Sequence, residues 1–121
     1  MVIREIKDNE LSELLALYTH LHELGIPDNS DQLQNTWAAI MGDKNHHIIV
    51  CEVDGKLVSS CVCVIIPNLT RNIRPYAFIE NVITDEAYRN RGLASACLSY
   101  AKELAMKENC YKMMYLKNLH M

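Results

Sequence analysis

The sequence has no apolar run long enough to cross a bilayer. Its longest, Leu57 to Pro67, is broken by Ser59 and Ser60 and falls short of the roughly 20 residues that a spanning helix needs. No signal-peptide core opens the chain, because Arg4, Glu5, Lys7 and Asp8 interrupt its first apolar residues. The expectation is a cytoplasmic protein with no membrane partner. Positive charge is not in excess either: 12 Lys+Arg stand against 15 Asp+Glu, a net charge of -3. A general nucleic-acid binder would carry a basic surplus, so no nucleic-acid partner is expected, although one basic pocket for a small polyanion is still allowed. There is no Cys-x-x-Cys, which removes the zinc-ribbon and thioredoxin-type readings. The five cysteines are an odd number, and Cys51, Cys61 and Cys63 fall inside apolar stretches. They read as buried thiols, not as a disulfide framework. No repeat, low-complexity stretch or linker divides the chain.

What is present is a composition that packs. Half of the 121 residues are hydrophobic and 22% are charged, which suits one domain spanning residues 1–121. Val2 to Ile6 alternates as a strand does. Asp8 or Asn9 is placed to cap a helix whose apolar face is Leu11, Leu14, Leu15, Tyr18 and Leu21. Gly25-Ile26-Pro27-Asp28 breaks it, and Ser30 is placed to cap a second helix carrying Leu33, Trp37, Ile40 and Met41. A strand from His47 to Val53 meets another, from about Lys56 to Ile66, across an Asp54-Gly55 hairpin turn. After a polar loop from Pro67 to Pro75 comes a strand from Tyr76 to Ile83. A helix follows from about Gly92 to Glu108, with Leu93, Ala96, Cys97, Tyr100 and Leu104 as its buried stripe. Tyr111 to Leu116 is the last strand. Order and spacing predict an α/β fold with a mixed sheet covered by helices.

The segment that carries chemistry runs from Glu80 to Ser95. A strand there passes through Thr84-Asp85-Glu86-Ala87-Tyr88 into Arg89-Asn90-Arg91-Gly92-Leu93-Ala94 and a helix. The first amides of a helix lack partners and carry partial positive charge, so an anion is stabilised there. Gly92 lets backbone approach a diphosphate, Ala94 is small, and Arg89 and Arg91 add charge. The segment is not a Walker A loop, lacking Gly-Lys-Ser/Thr. It is not a dinucleotide turn, which wants three glycines where this one has a single Gly.

Arg89-x-x-Gly92-x-Ala94 between a strand and a helix resembles the acyl-CoA pyrophosphate loop of the GNAT superfamily of N-acetyltransferases. Ile79-Glu80-Asn81-Val82-Ile83 before it, Tyr88, the amphipathic helix after it and the order of elements from Met1 to Leu116 share the resemblance. It implies a β-α-α-β-β-β-α-β fold, mostly antiparallel, with helices on both faces, and acetyl-CoA as co-substrate with no metal. Backbone amides from Asn90 to Ser95, namely Asn90, Arg91, Gly92, Leu93, Ala94 and Ser95, would hold the pyrophosphate beside Arg89. Val82, Ile83 and Thr84 would pair with the pantetheine arm, and an amide near Val82 would polarise the thioester carbonyl. Glu80 would accept the proton of an attacking amine, the alternative being a structural carboxylate. The loop between the first two helices, Leu24 to Ser30, is the candidate acceptor contact. His46 and His47 are read as strand-end residues, His20 and His22 as facing water, and Cys97, Tyr18 and Trp37 as core.

The family pattern continues beyond the fifth strand with a further helix, which often carries a Tyr that protonates the leaving thiolate, and two more strands. Tyr111 and Tyr115 lie on the wrong element to match it, and the tail from Lys117 to Met121 is short. The expectation is a homo-oligomer in which a partner covers the last strand. The reading is acetyl transfer to a primary amine, with a non-catalytic acyl-CoA-binding module as the alternative. The acceptor itself has no signature.

Overall fold

A computed structural model of the chain describes residues 1–21 and 25–115. Its strands are β1 (Val2–Glu5), β2 (His46–Val53), β3 (Lys56–Ile66), β4 (Tyr76–Thr84) and β5 (Met113–Met114). Its helices are α1 (Leu11–Tyr18), α2 (Asp31–Gly42), the single turn α3 (Thr70–Ile73) and α4 (Leu93–Lys107), with short 3-10 turns at Asp8–Glu10 and Glu86–Tyr88. The five strands lie side by side in chain order. β1 to β4 pair antiparallel, and α4 crosses over so that β5 runs parallel to β4.

Local chemistry explains most boundaries. Asp54 and Gly55 have φ of 51° and 78°, the two left-handed residues that a tight hairpin turn requires. The Ser30 hydroxyl accepts a hydrogen bond from the Leu33 amide at 3.2 Å and starts α2. Against expectation, neither Asp8 nor Asn9 caps α1. Both lie in the 3-10 turn, and Glu10 holds the cap position. Glu10 is claimed instead by Arg4, whose two terminal nitrogens meet its two oxygens at 2.8 and 2.7 Å while one also reaches Glu52 at 2.7 Å.

The sheet separates two cores. α1 and α2 cover one face, where Leu14 and Trp37 meet Ile48, Val50, Leu57 and Val62. α4 covers the other, where Leu93, Cys97, Ala101 and Ala105 meet Ile49, Val58, Cys61, Cys63, Ala77 and Ile79. Fully burying an aliphatic side chain such as Ile49 or Ile79 contributes about 1.5–3 kcal/mol. Two predicted stripes shift. In α1, Leu17 is buried and Leu15 is not; in α4, the small Ala101 and Ala105 are buried beside Leu93 and Cys97, with Ala96, Tyr100 and Leu104 at the margin. Small side chains let the helix axis approach the sheet, and a reading that favoured bulk overlooked them.

β5 is two residues long among the described ones, shorter than the predicted Tyr111–Leu116. The expectations for His22, Leu24, Leu116 and the tail lie outside the described residues.

Candidate active site

The site begins with an irregularity in β4. Ser60 pairs with Ile83 and Val62 with Glu80, so one more residue is used on β4 than on β3, with Asn81 and Val82 standing opposite Cys61. This is a β-bulge. Asn81 absorbs it with φ of 51°, a left-handed conformation that Asn tolerates better than other side chains. The bulge changes the strand's phase. Glu80 faces the α1 and α2 side with Val62, whereas Val82 packs into the core beneath α4.

β4 also has a free edge here. Among the described residues β5 pairs with it only at Ala77 and Phe78, which leaves Ile79 to Thr84 with no strand on that side. β4 ends at Thr84, and Asp85, which follows it, is 7% exposed. Its amide donates to the Val58 carbonyl and its carbonyl accepts from the Tyr88 amide, both at 2.8 Å. Its carboxylate accepts from the Ala87 amide at 2.9 Å and meets Lys56 Nζ at 3.0 Å. The Ala87 amide first, and then Lys56, hold the Asp85 carboxyl below the usual carboxylate range.

Beyond this turn, Asn90 and Gly92 have φ of 64° and 73°, with Arg91 between them outside that region. Such alternation turns successive amides toward one side and makes an anion-binding concavity. α4 then starts with Ala96 N–H donating to the Gly92 carbonyl at 3.1 Å. The amides of Leu93, Ala94 and Ser95 precede that bond and have no acceptor among the described residues. Val82, Ile83, Thr84, Tyr88, Arg89, Asn90, Gly92, Leu93, Ala94 and Ser95 together line one open cleft of about 430 Å³. It runs from the free edge of β4 to the start of α4.

The profile of the acetyltransferase (GNAT) family matches residues 11–120. The chain belongs to the GNAT family. A relative from Trypanosoma brucei brucei named glucosamine 6-phosphate N-acetyltransferase is 31% identical over 115 residues, covering 91% of this chain and 75% of the relative. Among solved structures, a protein from Agrobacterium tumefaciens str. C58 assigned to the acetyltransferases has a TM-score of 0.90 at 37% identity, covering 100% of this chain and 84% of that one. An acetyltransferase of Trypanosoma brucei has a TM-score of 0.83 at 28% identity, covering 97% of this chain and 82% of that one. The mixed sheet with helices on both faces is thus a GNAT fold, and GNAT enzymes use acyl-CoA.

Within this GNAT domain the structure gathers all the predicted loop residues but one. Arg91 does not line the cleft. Its guanidinium lies 5.0 Å from the centre of the Tyr88 ring, and Lys56 Nζ is 5.5 Å from the same ring. Gly92 has a left-handed backbone, and a Cβ there would meet no protein atom within 4 Å, so open space lies beside it.

Glu80 is half-buried on the face opposite α4. Tyr18, read as core, is half-buried near the bulge, where burial pushes its phenol up to about 12 and the nearby Asn81 amide opposes this. The bulge itself was missed in the sequence, although an Asn inside an apolar strand was its signal. Four of the five cysteines are buried as read, and Cys110 is half-buried. Cys51, Cys61, Cys63 and Cys97 are fully buried, and burial pushes Cys61 up to about 12 and both Cys63 and Cys97 up to about 11. A thiol so placed is a poor nucleophile. Among the described residues no group of three His, Cys, Asp or Glu side chains is placed to hold a metal. No helix of the described residues is long and apolar enough to cross a membrane.

Proposed function

We propose that this acetyltransferase moves an acetyl group from acetyl-CoA to the primary amine of a small acceptor by direct attack. The observation that carries the reading is the continuous cleft from the free edge of β4 to the unpaired amides at the start of α4. Its dimensions and chemistry suit a long cofactor with an anionic middle. Acetyl-CoA supplies an acyl group already activated as a thioester.

The chain's own residues do the rest. The amides from Asn90 to Ser95, beside Arg89, would hold the diphosphate in the concavity that Asn90 and Gly92 create. Val82, Ile83 and Thr84 would offer their unpaired backbone to the pantetheine arm, as a strand edge offers itself to another strand. At the bulge, an amide near Val82 would donate to the oxygen on which negative charge develops. Glu80, on the opposite face, would take the proton of the incoming amine, which is mostly protonated at neutral pH because its pKa is near ~10. The name of the Trypanosoma brucei brucei relative, an N-acetyltransferase of an amino sugar phosphate, supports an amine as acceptor.

The test is calorimetry with coenzyme A followed by a thiol-release assay over an amine panel that includes glucosamine 6-phosphate. Binding with turnover of at least one amine is expected. Binding without turnover of any amine would instead make the chain a non-catalytic acyl-CoA module, and absence of binding would end the reading.

A further inference from the structure

A second cluster of chemistry lies outside the cleft, at the foot of β4. Lys112 Nζ stands 5.2 Å from the centre of the Tyr76 ring and 5.3 Å from that of Tyr111, and the Arg71 guanidinium is 5.5 Å from the Tyr111 ring. The two rings meet edge to face at 6.3 Å. Neither Arg71 nor Lys112 forms an ion pair among the described residues, although Lys56 and Arg4 do. Both are exposed. Two exposed cations are therefore held against one ring, that of Tyr111, and are available to an anion.

The backbone that presents Arg71 is costly. Arg71, Asn72 and Ile73 have φ of 55°, 60° and 64° in succession, and a left-handed run of non-glycine residues crowds each Cβ against the following carbonyl oxygen. The turn is pinned on both sides. Arg74 donates to the carbonyls of Asn109 and Cys110 at 3.1 and 3.0 Å, and the Asn68 amide donates to Thr70 and to the Arg74 carbonyl. Strain held this firmly is a reason to ask what the turn presents.

The position relative to Glu80 gives the answer. Tyr76, Phe78 and Glu80 alternate onto one face of β4 above the bulge's phase change. Met114 is the register partner of Phe78, which places it and Lys112 on that same face of β5. All of Tyr76, Phe78, Glu80 and Met114 are only half-buried. This face thus has a carboxylate at one end, an apolar middle and Lys112 at the other end, with Arg71 against the neighbouring Tyr111 ring. Glu80 is four residues from Tyr76, about 13 Å along the strand. A hydrogen bond of about 2.8 Å at each end leaves roughly 7 Å between the two charged groups of a ligand that spans that length.

We infer that Arg71 and Lys112 form a subsite for an anionic group on the acceptor, whose amine lies several bonds away at Glu80. The inference rests on the acetyltransferase reading for the identity of the amine end. The acceptor class is then a primary amine with a distant phosphate or carboxylate, such as a hexosamine phosphate or an ω-amino carboxylate. Neutral amines lack the anion, and α-amino acids hold their two charges too close together to span the face.

Calorimetry with matched probes tests this apart from turnover. A hexosamine 6-phosphate is compared with the free hexosamine, and 6-aminohexanoate with hexylamine, on the coenzyme A complex and on the free protein. At least one charged member is expected to bind tenfold or more tightly than its neutral partner, and which one it is separates phosphate from carboxylate. An Arg71→Gln, Lys112→Gln double variant should erase that preference while coenzyme A affinity stays unchanged, and Lys112→Arg should keep it. Equal binding within both pairs, no binding of any probe, or a preference that survives the double variant would each overturn the subsite. A charge preference that depends on these residues, without any coenzyme A binding, would leave the subsite standing and remove the acetyltransferase reading.

Discussion

Lys56 Nζ stands 3.0 Å from Asp85 Oδ2, an ion pair that ties the first residue of β3 to the residue where β4 turns toward α4. The same carboxylate caps the Glu86–Tyr88 turn through Ala87 N–H. Asp85 therefore sets the path by which the chain enters the cleft. Asp85→Ala is expected to raise the KM for acetyl-CoA several-fold with a smaller change in kcat. Asp85→Asn, which keeps the Ala87 contact, should recover most of the loss. Steady-state kinetics with varied acetyl-CoA checks both, and an effect on kcat alone would argue against this role.

Gly92 separates backbone cost from ligand cost. Because nothing in the protein fills the space beside it, Gly92→Ala should cost about 1 kcal/mol of stability from its left-handed φ alone. Gly92→Glu should add charge repulsion in the cleft and abolish measurable coenzyme A binding while leaving a cooperative fold. Chemical denaturation measures the first and calorimetry the second.

Glu80 lies on the other face from α4, so its replacement should spare the cofactor. Glu80→Gln is expected to lower kcat by about 10²-fold, the scale of lost general-base catalysis, with coenzyme A affinity unchanged. If the variant turns over at the full rate, the base must be sought elsewhere.

The Arg4–Glu10 pair predicts an acid-sensitive fold. Its hydrogen bonds with Arg4 and with the Lys7 amide hold the Glu10 carboxyl down to about 2, against about 4.3 for a free glutamate. A depressed carboxyl contributes stability that is fully present above the unfolded value and is lost as pH falls through the folded one. Stability should therefore decline between roughly pH 4.3 and 2. Glu10→Gln should remove about 2 kcal/mol at pH 7 and flatten that decline, as followed by urea denaturation at several pH values.

Thiol labelling probes the core directly. Cys110, which is half-buried, should react first with a mild alkylating agent, while Cys51, Cys61, Cys63 and Cys97 should react only when the chain unfolds. Mass spectrometry of timed samples gives the order.

Much of this was legible in the sequence because the signals were local. The Asp54-Gly55 turn, the Ser30 cap, the β3 span and the start of α4 each follow from the residues that form them. The position of the loop from Arg89 to Ser95 was legible because the strand before it and the helix start after it are both local signals. What escaped the sequence depends on partners distant along the chain. Glu10 looks like a helical surface residue until Arg4 and Glu52 converge on it. Arg91 looks like a cleft cation until Tyr88 takes it. Lys112 and Arg71 are 41 positions apart in the numbering and reach the same Tyr111 ring only because α4 returns the chain beside β4.

The extra residue at Asn81 decides which surface each later side chain of β4 belongs to. Were the bulge straightened with Asn81 kept as an ordinary strand residue, Val82 and Thr84 would rotate away from the mouth of α4, and Ile83 would take their place against it. A strand of unchanged composition would then present a different set of groups to each core. One left-handed asparagine thus lets a single strand turn Glu80 to one surface and Val82 to the other.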